Sequence, residues 1–251
     1  MTFSAQGVAF HYGLVDATFR LPERGLVAIG GPNGAGKSTL IGILAGVRTP
    51  YKGSCKFDEK ELRTWRRRDF AKKVAFVPQL MRMEFSFTAL EVVHMGRGPH
   101  ATGWQDSPLD DAAVQQAIAR TNIEEFVSRD FRGLSGGERQ RVLLASALAQ
   151  QTPVLLMDEP ATFLDLKHQM ATHTLLEELA RDHLVVVVTH DLDFVTQGAA
   201  HLLMLQEGRV VAEGPPRELL TTASIAKWFD IDPRALRRRM EHETTFTRGV
   251  F

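Results

Sequence analysis

The sequence has little of three features that would place a protein in a specialised class: cysteine, charge of one sign, and long apolar runs. Cys55 is the only cysteine in 251 residues, which excludes an internal disulfide and favours a cytosolic compartment. Thirty basic and thirty acidic residues give a formal net charge of zero, so charge gives no reason to expect nucleic acid or an anionic membrane as partner. No apolar run reaches the roughly 18 residues that cross a bilayer, so any work at a membrane needs spanning helices from another chain.

Two further absences limit the possible chemistry. The first six residues lack the charged start and apolar stretch of a signal peptide, and the nine histidines show no zinc-binding spacing, so we expect no structural metal. The composition, 44% hydrophobic and 24% charged, is typical of globular proteins. A chain of this length can bury a substantial core, as one large domain or two small ones.

The most informative stretch follows an apolar run at 26–29 and precedes an apolar-periodic run at 40–45. It matches the phosphate-binding pattern G-x-x-x-x-G-K-[ST] in its strand–turn–helix context, and its members are Gly31, Pro32, Asn33, Gly34, Ala35, Gly36, Lys37, Ser38 and Thr39. Glycines let the backbone bend around phosphates, and the helix start offers free N–H groups to an anion. Lys37 is predicted to contact the β- and γ-phosphates, and the Ser38 hydroxyl to bind Mg²⁺.

Polar side chains follow three further buried strands: Gln79 after strand 74–77, Asp158 and Glu159 after strand 153–157, and His190 after strand 184–189. In open α/β sheets, ligands bind at the carboxyl ends of the strands. We predict that Asp158 binds Mg²⁺ through water and that Glu159 polarises the attacking water. Gln79 is placed to meet both the metal and a water, and His190 to contact the γ-phosphate.

Between residues 80 and 150 the strand patterns stop, and helices are predicted at 89–95, 110–121 and 136–150, as an insertion between two strands. Ser135 and Glu138 have the spacing of a capping box at the start of the third helix. Gly136 and Gly137 weaken that start by up to about 1 kcal/mol each. Close approach of the backbone to a ligand explains them better, which predicts a second anion-binding helix start.

The remaining segments predict strands at 8–13 and 14–21, a surface helix at 59–70 and a hairpin around 207–208. In the second strand, the alternation of apolar and polar residues places Val15 and Ala17 on one buried face. Tyr12 is the candidate for stacking on adenine; the alternative is that it packs on the neighbouring sheet. The basic segment 233–239 is read as a solvated helix face rather than a nucleic-acid patch.

Along the chain, the order is the phosphate loop, Gln79, the segment 134–138, Asp158–Glu159 and His190. Motifs in this order resemble those of the nucleotide-binding subunit of ATP-binding-cassette (ABC) transporters, and the resemblance covers roughly residues 3–230. The segment Leu134–Glu138, LSGGE, is similar to the family signature. The resemblance implies an α/β fold, a P-loop NTPase core with an N-terminal antiparallel β region and an inserted α-helical subdomain. It implies a core from 1–79 and 151–230, a helical subdomain at 80–150 and a C-terminal tail at 231–251.

The resemblance also implies roles for single residues. It makes residues 31–39 the Walker A loop, 154–158 Walker B and 161–165 the D-loop, with Gln79 in the Q-loop. Glu159 becomes the catalytic glutamate and His190 the switch histidine; Lys37 and Gln79 complete the implied catalytic set. ATP would be bound by the Walker A loop, Tyr12, Ser135, Gly136, Gly137 and Asp165, and Mg²⁺ by Ser38, Gln79 and Asp158.

The implied partners are a second copy of this chain, with ATP between the Walker A loop of one copy and Ser135–Gly137 of the other, and a dimeric membrane permease. A periplasmic or lipid-anchored solute-binding protein would act indirectly, and the location would be the cytoplasmic face of the cell membrane. The segments 96–100 and 163–169 look like those of ATPases that serve iron-siderophore, haem and cobalamin importers. Iron-chelate import is favoured, with cobalamin import, and a soluble ABC ATPase acting on DNA or ribosomes, as alternatives.

The connector at 80–87 carries Met81, Met83, Phe85 and Phe87, more apolar residues than a solvated connector needs. These side chains either close the core of the helical segment or form a groove that receives a short helix of the permease.

Overall fold

The computed structural model describes residues 1–81, 83–101 and 108–235. The strands in this part of the chain are β1 (Phe3–Phe10), β2 (Leu14–Arg20), β3 (Gly25–Gly30), β4 (Lys52–Phe57), β5 (Lys60–Glu61), β6 (Val74–Val77), β7 (Val154–Asp158), β8 (Leu184–Val188), β9 (His201–Gln206) and β10 (Arg209–Gly214). The α-helices are α1 (Lys37–Leu44), α2 (Arg67–Ala71), α3 (Ala89–Met95), α4 (Pro108–Thr121), α5 (Gly136–Ala149), α6 (Leu166–Leu179), α7 (Leu192–Gly198), α8 (Pro216–Leu219) and α9 (Thr222–Phe229).

The strands form one sheet in the order β5-β4-β1-β2-β10-β9-β3-β8-β7-β6. From β9 to β6 all neighbouring strands are parallel, whereas β5, β4, β1 and β2 pair antiparallel. Strands β7 and β8 are buried along their whole length, as expected for parallel strands covered on both faces, and their apolar runs follow from that burial. The carboxyl ends of β3, β8, β7 and β6 therefore lie along one edge of the sheet.

Helices α3, α4 and α5 lie between β6 and β7 in the chain, which confirms the predicted helical insertion. Two large apolar clusters fill the two faces of the sheet. One joins α1 to the N-terminal strands, and the other joins α3–α5 and α6 to β6, β7 and β8. The inserted helices thus share their core with the parallel strands. No helix in the described part of the chain has both the length and the apolarity to cross a membrane.

The predicted helix at 59–70 is wrong. Asp58 and Glu59 have φ angles of 48° and 59°, and this left-handed pair makes a tight turn that pairs β4 with β5. Glu61 then fixes the new edge, because its carboxylate accepts hydrogen bonds from Tyr51 at 2.8 Å and Ser54 at 2.7 Å. A single 3-10 turn follows at Leu62–Thr64, and α-helix begins only at Arg67.

The alternation predicted for the second strand fails at Val15, whose side chain is exposed, while its neighbours Leu14 and Ala17 are buried. The backbone N–H groups of Val15 and Asp16 both donate to the carbonyl of Gly208, at 2.8 and 3.2 Å. The pairing with β1 shifts register at the same place. A bulge adds a residue to one strand and changes which side chains face the core.

The hairpin around 207–208 is confirmed, with φ angles of 50° at Glu207 and 75° at Gly208, as a two-residue turn between twisted strands requires. Helix α4 starts at Pro108, two residues before the predicted start. Residues 102–104 of the loop after α3, Arg82 in the connector, and most of the basic segment 233–239 lie outside the described residues.

Candidate functional site

The phosphate loop connects the carboxyl end of β3 to α1 and folds around the side chain of Lys37. The Lys37 side chain is 6% exposed, and its ammonium donates to the carbonyls of Gly31 at 2.8 Å and Pro32 at 2.9 Å. Burial lowers the pKa of Lys37, while the nearby carboxylates of Glu159 and Asp158 act in the opposite direction. The loop therefore holds its cation at the start of a helix, where it adds to the positive end of the helix dipole.

Two of the three loop glycines are required by neighbouring backbone. A Cβ on Gly31 would lie 2.2 Å from the Leu205 carbonyl oxygen, and one on Gly36 would lie 1.9 Å from that of Gly13. Both glycines have left-handed φ angles, 141° and 100°. Gly34 also has a positive φ, but its missing Cβ would face open space. Gly31 and Gly36 thus let the loop pack closely against neighbouring backbone, whereas the space beside Gly34 is empty.

The carboxylate of Glu159 is the centre of a hydrogen-bonded group at the strand ends. Gln79 Nε2 donates to its Oε2 at 2.8 Å, Thr162 Oγ1 donates to the same oxygen at 3.0 Å, and Nε2 of His190 lies 2.7 Å from its Oε1. Glu159 itself has a φ of 52°, a conformation that costs a non-glycine residue about 1 kcal/mol or more. The structure holds this residue in a strained backbone with a fixed side chain, a combination typical of functional sites.

A cavity of about 560 Å³ opens between this group and the phosphate loop, and its lining residues are Tyr12, Gly13, Asn33, Gly34, Gly36, Lys37, Ser38, Thr39, Gln79, Glu159 and His190. All four residues assigned to the catalytic set from the sequence therefore border one space. Its walls offer ammonium, hydroxyl, amide and imidazole groups and the N–H groups of a helix start, which suit a polyphosphate.

The residues assigned to a metal also lie together. Ser38 Oγ donates to Asp158 Oδ1 at 3.2 Å, and Asp158 is 7% exposed; burial raises the pKa of its carboxyl, and the bond from Ser38 opposes that shift. Gln79, Ser38 and Asp158 line a second cavity beside the first. Mg²⁺ at nucleotide sites takes one or two protein oxygens and fills its remaining positions with phosphate and water. The Ser38 hydroxyl at the start of α1 and the buried Asp158 carboxylate at the end of β7 therefore fit it. The described residues hold no cluster of three or more acidic, histidine or cysteine side chains suited to a metal.

Tyr12 also lines the cavity, and its side chain is 51% exposed. Its ring is perpendicular to those of Phe10 and His11, with centroids 5.0 and 4.4 Å away. Arg48, which the sequence analysis missed, lies over the Tyr12 ring, 5.4 Å from the centroid, and donates to its hydroxyl. The sequence signal that could have pointed to Arg48 is Gly42, because a glycine inside a helix leaves space that another side chain can fill; here the Arg48 side chain fills it.

The signature segment lies away from this cavity. Ser135 and Glu138 form the predicted capping box, with both reciprocal hydrogen bonds present. Gly136 and Gly137 pack against Phe163 of the same chain. A Cβ on Gly136 would lie 3.3 Å from Phe163 Cβ, and a Cβ on Gly137 would lie 3.0 Å from the Phe163 carbonyl oxygen. Close packing against residues 163–164 is therefore a reason for two glycines that the sequence analysis did not consider.

Asp165 also lies outside the lining of the cavity. Its carboxylate accepts from the backbone N–H of His168 at 2.9 Å and lies 2.7 Å from that residue's Nδ1, so it caps the N-terminus of α6. These hydrogen bonds hold the pKa of Asp165 below its usual value. Within one copy of the chain, Ser135, Gly136, Gly137 and Asp165 are thus separate from the phosphate loop.

With this geometry established, sequence comparison assigns the family. The model of the ABC transporter family matches residues 14–162, more than half of the chain. The chain belongs to the ABC transporter family. A hemin import ATP-binding protein of Nocardia farcinica is 47% identical over 208 residues, which cover 81% of this chain and 71% of that protein. One from Pseudomonas entomophila is 39% identical, covering 87% of each.

A cobalamin import ATP-binding protein of Halobacterium salinarum is 44% identical over 82% of this chain, but the match covers 52% of that protein, so the chain spans about half its length. Among solved structures, a dimeric ATP-binding cassette in a post-hydrolysis state with ADP and Pi has a TM-score of 0.74 at 27% identity, over 86% of this chain and 99% of that one. An inward-facing transporter described as of the metal-chelate ABC type has a TM-score of 0.76 at 30% identity, over 90% and 88%. The fold is that of an ABC ATPase, as the motifs predicted.

Proposed function

We propose that this chain is the ATP-hydrolysing subunit of a membrane importer for an iron chelate, either haem or a ferric siderophore. The single observation that carries the ATPase part is the carboxylate of Glu159, fixed by Gln79 and His190 at one cavity with Lys37. A carboxylate held this way can orient a water and take its proton as the water attacks the γ-phosphorus and ADP leaves. Lys37 and the helix start stabilise charge on the transferred phosphoryl group.

The residues at the metal cavity fit Mg²⁺, which would neutralise phosphate charge when bound. Ser38, Asp158 and Gln79 are proposed to hold it. Asp158 needs such a counter-charge most, because its carboxylate is buried and burial raises its pKa. The test is hydrolysis of ATP by the purified chain with and without Mg²⁺; phosphate release that persists unchanged in excess chelator contradicts the assignment.

The proposed active assembly is a dimer, in which Ser135, Gly136 and Gly137 of one copy approach the phosphate loop of the other. This is supported by the dimeric cassette found among similar structures and by the exposure of Ser135 and Asp165 outside the cavity of their own chain. We also propose the domain division with a helical subdomain at 80–150, because α3, α4 and α5 form one packed group. A tail at 231–251 completes this division.

The transport role is proposed from relatives whose names describe import of hemin or cobalamin. It requires a polytopic permease dimer as partner and a position at the cytoplasmic face of the cell membrane, with a solute-binding protein acting indirectly. Cobalamin import remains the second candidate, because the relative from Halobacterium salinarum carries that name. Co-purification with the permease, followed by uptake of haem, a ferric siderophore or cobalamin into vesicles, separates these possibilities. Co-purification with ribosomes or DNA instead contradicts the transport role.

A further inference from the structure

We infer that Arg48 is a positioning residue of the nucleotide site, which holds the Tyr12 ring in place for the base of the nucleotide. The inference rests on the proposed ATP site and adds to it a residue outside every motif described above. Arg48 follows α1 in the chain, beyond the phosphate loop, and lies half-buried beside the cavity.

The position of Arg48 is fixed by the backbone and by a glycine. The backbone N–H of Arg48 donates to the Gly42 carbonyl at 3.0 Å, which turns the chain back along α1. A Cβ on Gly42 would lie 2.9 Å from both Cδ and Nε of Arg48. A glycine inside a helix weakens it relative to alanine, and here the space that glycine leaves is filled by the arginine side chain.

The guanidinium of Arg48 then makes two contacts with one aromatic ring. It lies 5.4 Å from the centroid of Tyr12 and donates a hydrogen bond to the Tyr12 hydroxyl. A planar guanidinium can do both, whereas an ammonium acts as a point charge. Since Tyr12 is half exposed and follows the end of β1, these contacts restrict a ring that would otherwise have several orientations.

The same side chain borders the metal cavity. Arg48 lines it together with Ser38, Gln79 and Asp158, and its charge favours the ionised form of Asp158, as a smaller influence than the burial that raises the pKa of that carboxyl. In the described part of the chain, no acidic side chain forms an ion pair with Arg48. The guanidinium of Arg48 therefore contacts the ring of Tyr12 and borders the cavity that contains Asp158.

The test compares a ligand that has a base with one that lacks it. Equilibrium dissociation constants for ATP and for inorganic triphosphate are measured by calorimetry on the purified full chain, for wild type and Arg48→Met. We expect Kd for ATP to rise about three- to tenfold, and Kd for inorganic triphosphate to change less than about twofold. Arg48→Lys should resemble Arg48→Met, because an ammonium cannot lie over the ring and bond its hydroxyl at the same time as the planar guanidinium does.

A double-mutant cycle identifies Tyr12 as the route of the effect. In a Tyr12→Leu background, Arg48→Met should raise Kd for ATP no further. Arg24→Met, at an exposed arginine that precedes the amino end of β3 and does not line the cavity, is the control for loss of a surface charge, and thermal melting checks that each variant folds. An unchanged Kd for ATP, an equal rise for triphosphate, or a full effect without the Tyr12 ring each overturns the inference. If the wild-type protein binds ATP but does not hydrolyse it, the proposed function is contradicted, whereas the binding test of Arg48 remains valid because it measures Kd alone.

Discussion

Oε1 of Glu159 lies 2.7 Å from Nε2 of His190, and these two side chains come from the ends of neighbouring parallel strands. The register pairs Asp158 with Val188, and the Glu159 backbone N–H donates to the Val188 carbonyl at 3.0 Å. The left-handed φ of Glu159 turns the chain at this point. A strained residue whose side chain is fixed from both sides supports a hypothesis of function, which the first prediction tests.

Glu159→Gln should keep ATP binding and lose turnover. The amide keeps the shape of the side chain but cannot take a proton or polarise water as strongly, so hydrolysis should fall by about 10²–10³, or roughly 3–4 kcal/mol of barrier. The variant should accumulate as an ATP-bound dimer. Phosphate release and size-exclusion chromatography with ATP measure both effects, and wild-type turnover in a preparation free of other ATPases would refute the assignment.

The second prediction separates nucleotide binding from dimer formation. Lys37→Ala removes the buried cation of the phosphate loop and should weaken ATP binding to the monomer about tenfold or more. Ser135→Arg adds bulk and charge at an exposed helix start, outside the cavity of its own chain. It should leave monomer binding nearly intact and abolish the ATP-dependent dimer. If isolated Ser135→Arg monomers bind ATP as poorly as Lys37→Ala, the site shared between two chains is wrong.

Two glycines of the phosphate loop should respond very differently to alanine. A Cβ at Gly31 meets the Leu205 carbonyl oxygen at 2.2 Å, whereas a Cβ at Gly34 meets nothing within 4 Å. Gly34→Ala should cost about 1–2 kcal/mol of unfolding free energy, from its positive φ alone. Gly31→Ala should cost about 3 kcal/mol or more, because strain and overpacking add. Urea unfolding without nucleotide measures both, and equal losses would contradict the close approach of Gly31 to the Leu205 carbonyl.

Cys55 should make the stability of the protein depend on alkaline pH. Its side chain is fully buried, and burial, with a smaller effect of Glu61, raises its pKa to about 12. The unfolded chain releases the thiol proton from about pH 8.5, so the folded state binds more protons above that pH and stability falls as the pH rises towards 12. Between pH 8 and 10 the thiol should account for a loss of about 2 kcal/mol. Urea unfolding of Cys55→Ala should show a correspondingly flatter pH dependence; an equal slope would contradict this prediction.

The sequence predicted best those features that depend on neighbours in the chain. The phosphate loop, the capping box at Ser135 and the polar residues after buried strands each follow from local spacing and burial. The features that local spacing does not reveal depend on contacts between distant segments: the backbone N–H of Val15 bonds to the carbonyl of Gly208, and Gly136 and Gly137 pack on residue 163.

Arg48 shows the same limit at the site itself. Its contact with Tyr12 requires α1 to lie beside the end of β1, which sequence spacing does not reveal. Gly42 was visible in the sequence, but a glycine inside a helix does not identify the side chain that fills its space.

The last prediction concerns docking of the proposed permease, where the structure separates two side chains that the sequence treated alike. Met83 is partly buried against the core that contains α3–α5, whereas Phe85 is 72% exposed. We therefore expect Phe85→Glu to lower permease binding and solute uptake together, by about tenfold or more, with basal ATPase of the free subunit and thermal stability unchanged. Met83→Glu is the matched control, and it should destabilise the fold because it buries a charge. Pull-down, vesicle uptake and phosphate release on both variants measure these effects. Normal uptake with Phe85→Glu would place the docking surface elsewhere, and lost basal ATPase would mean that Phe85 supports the fold.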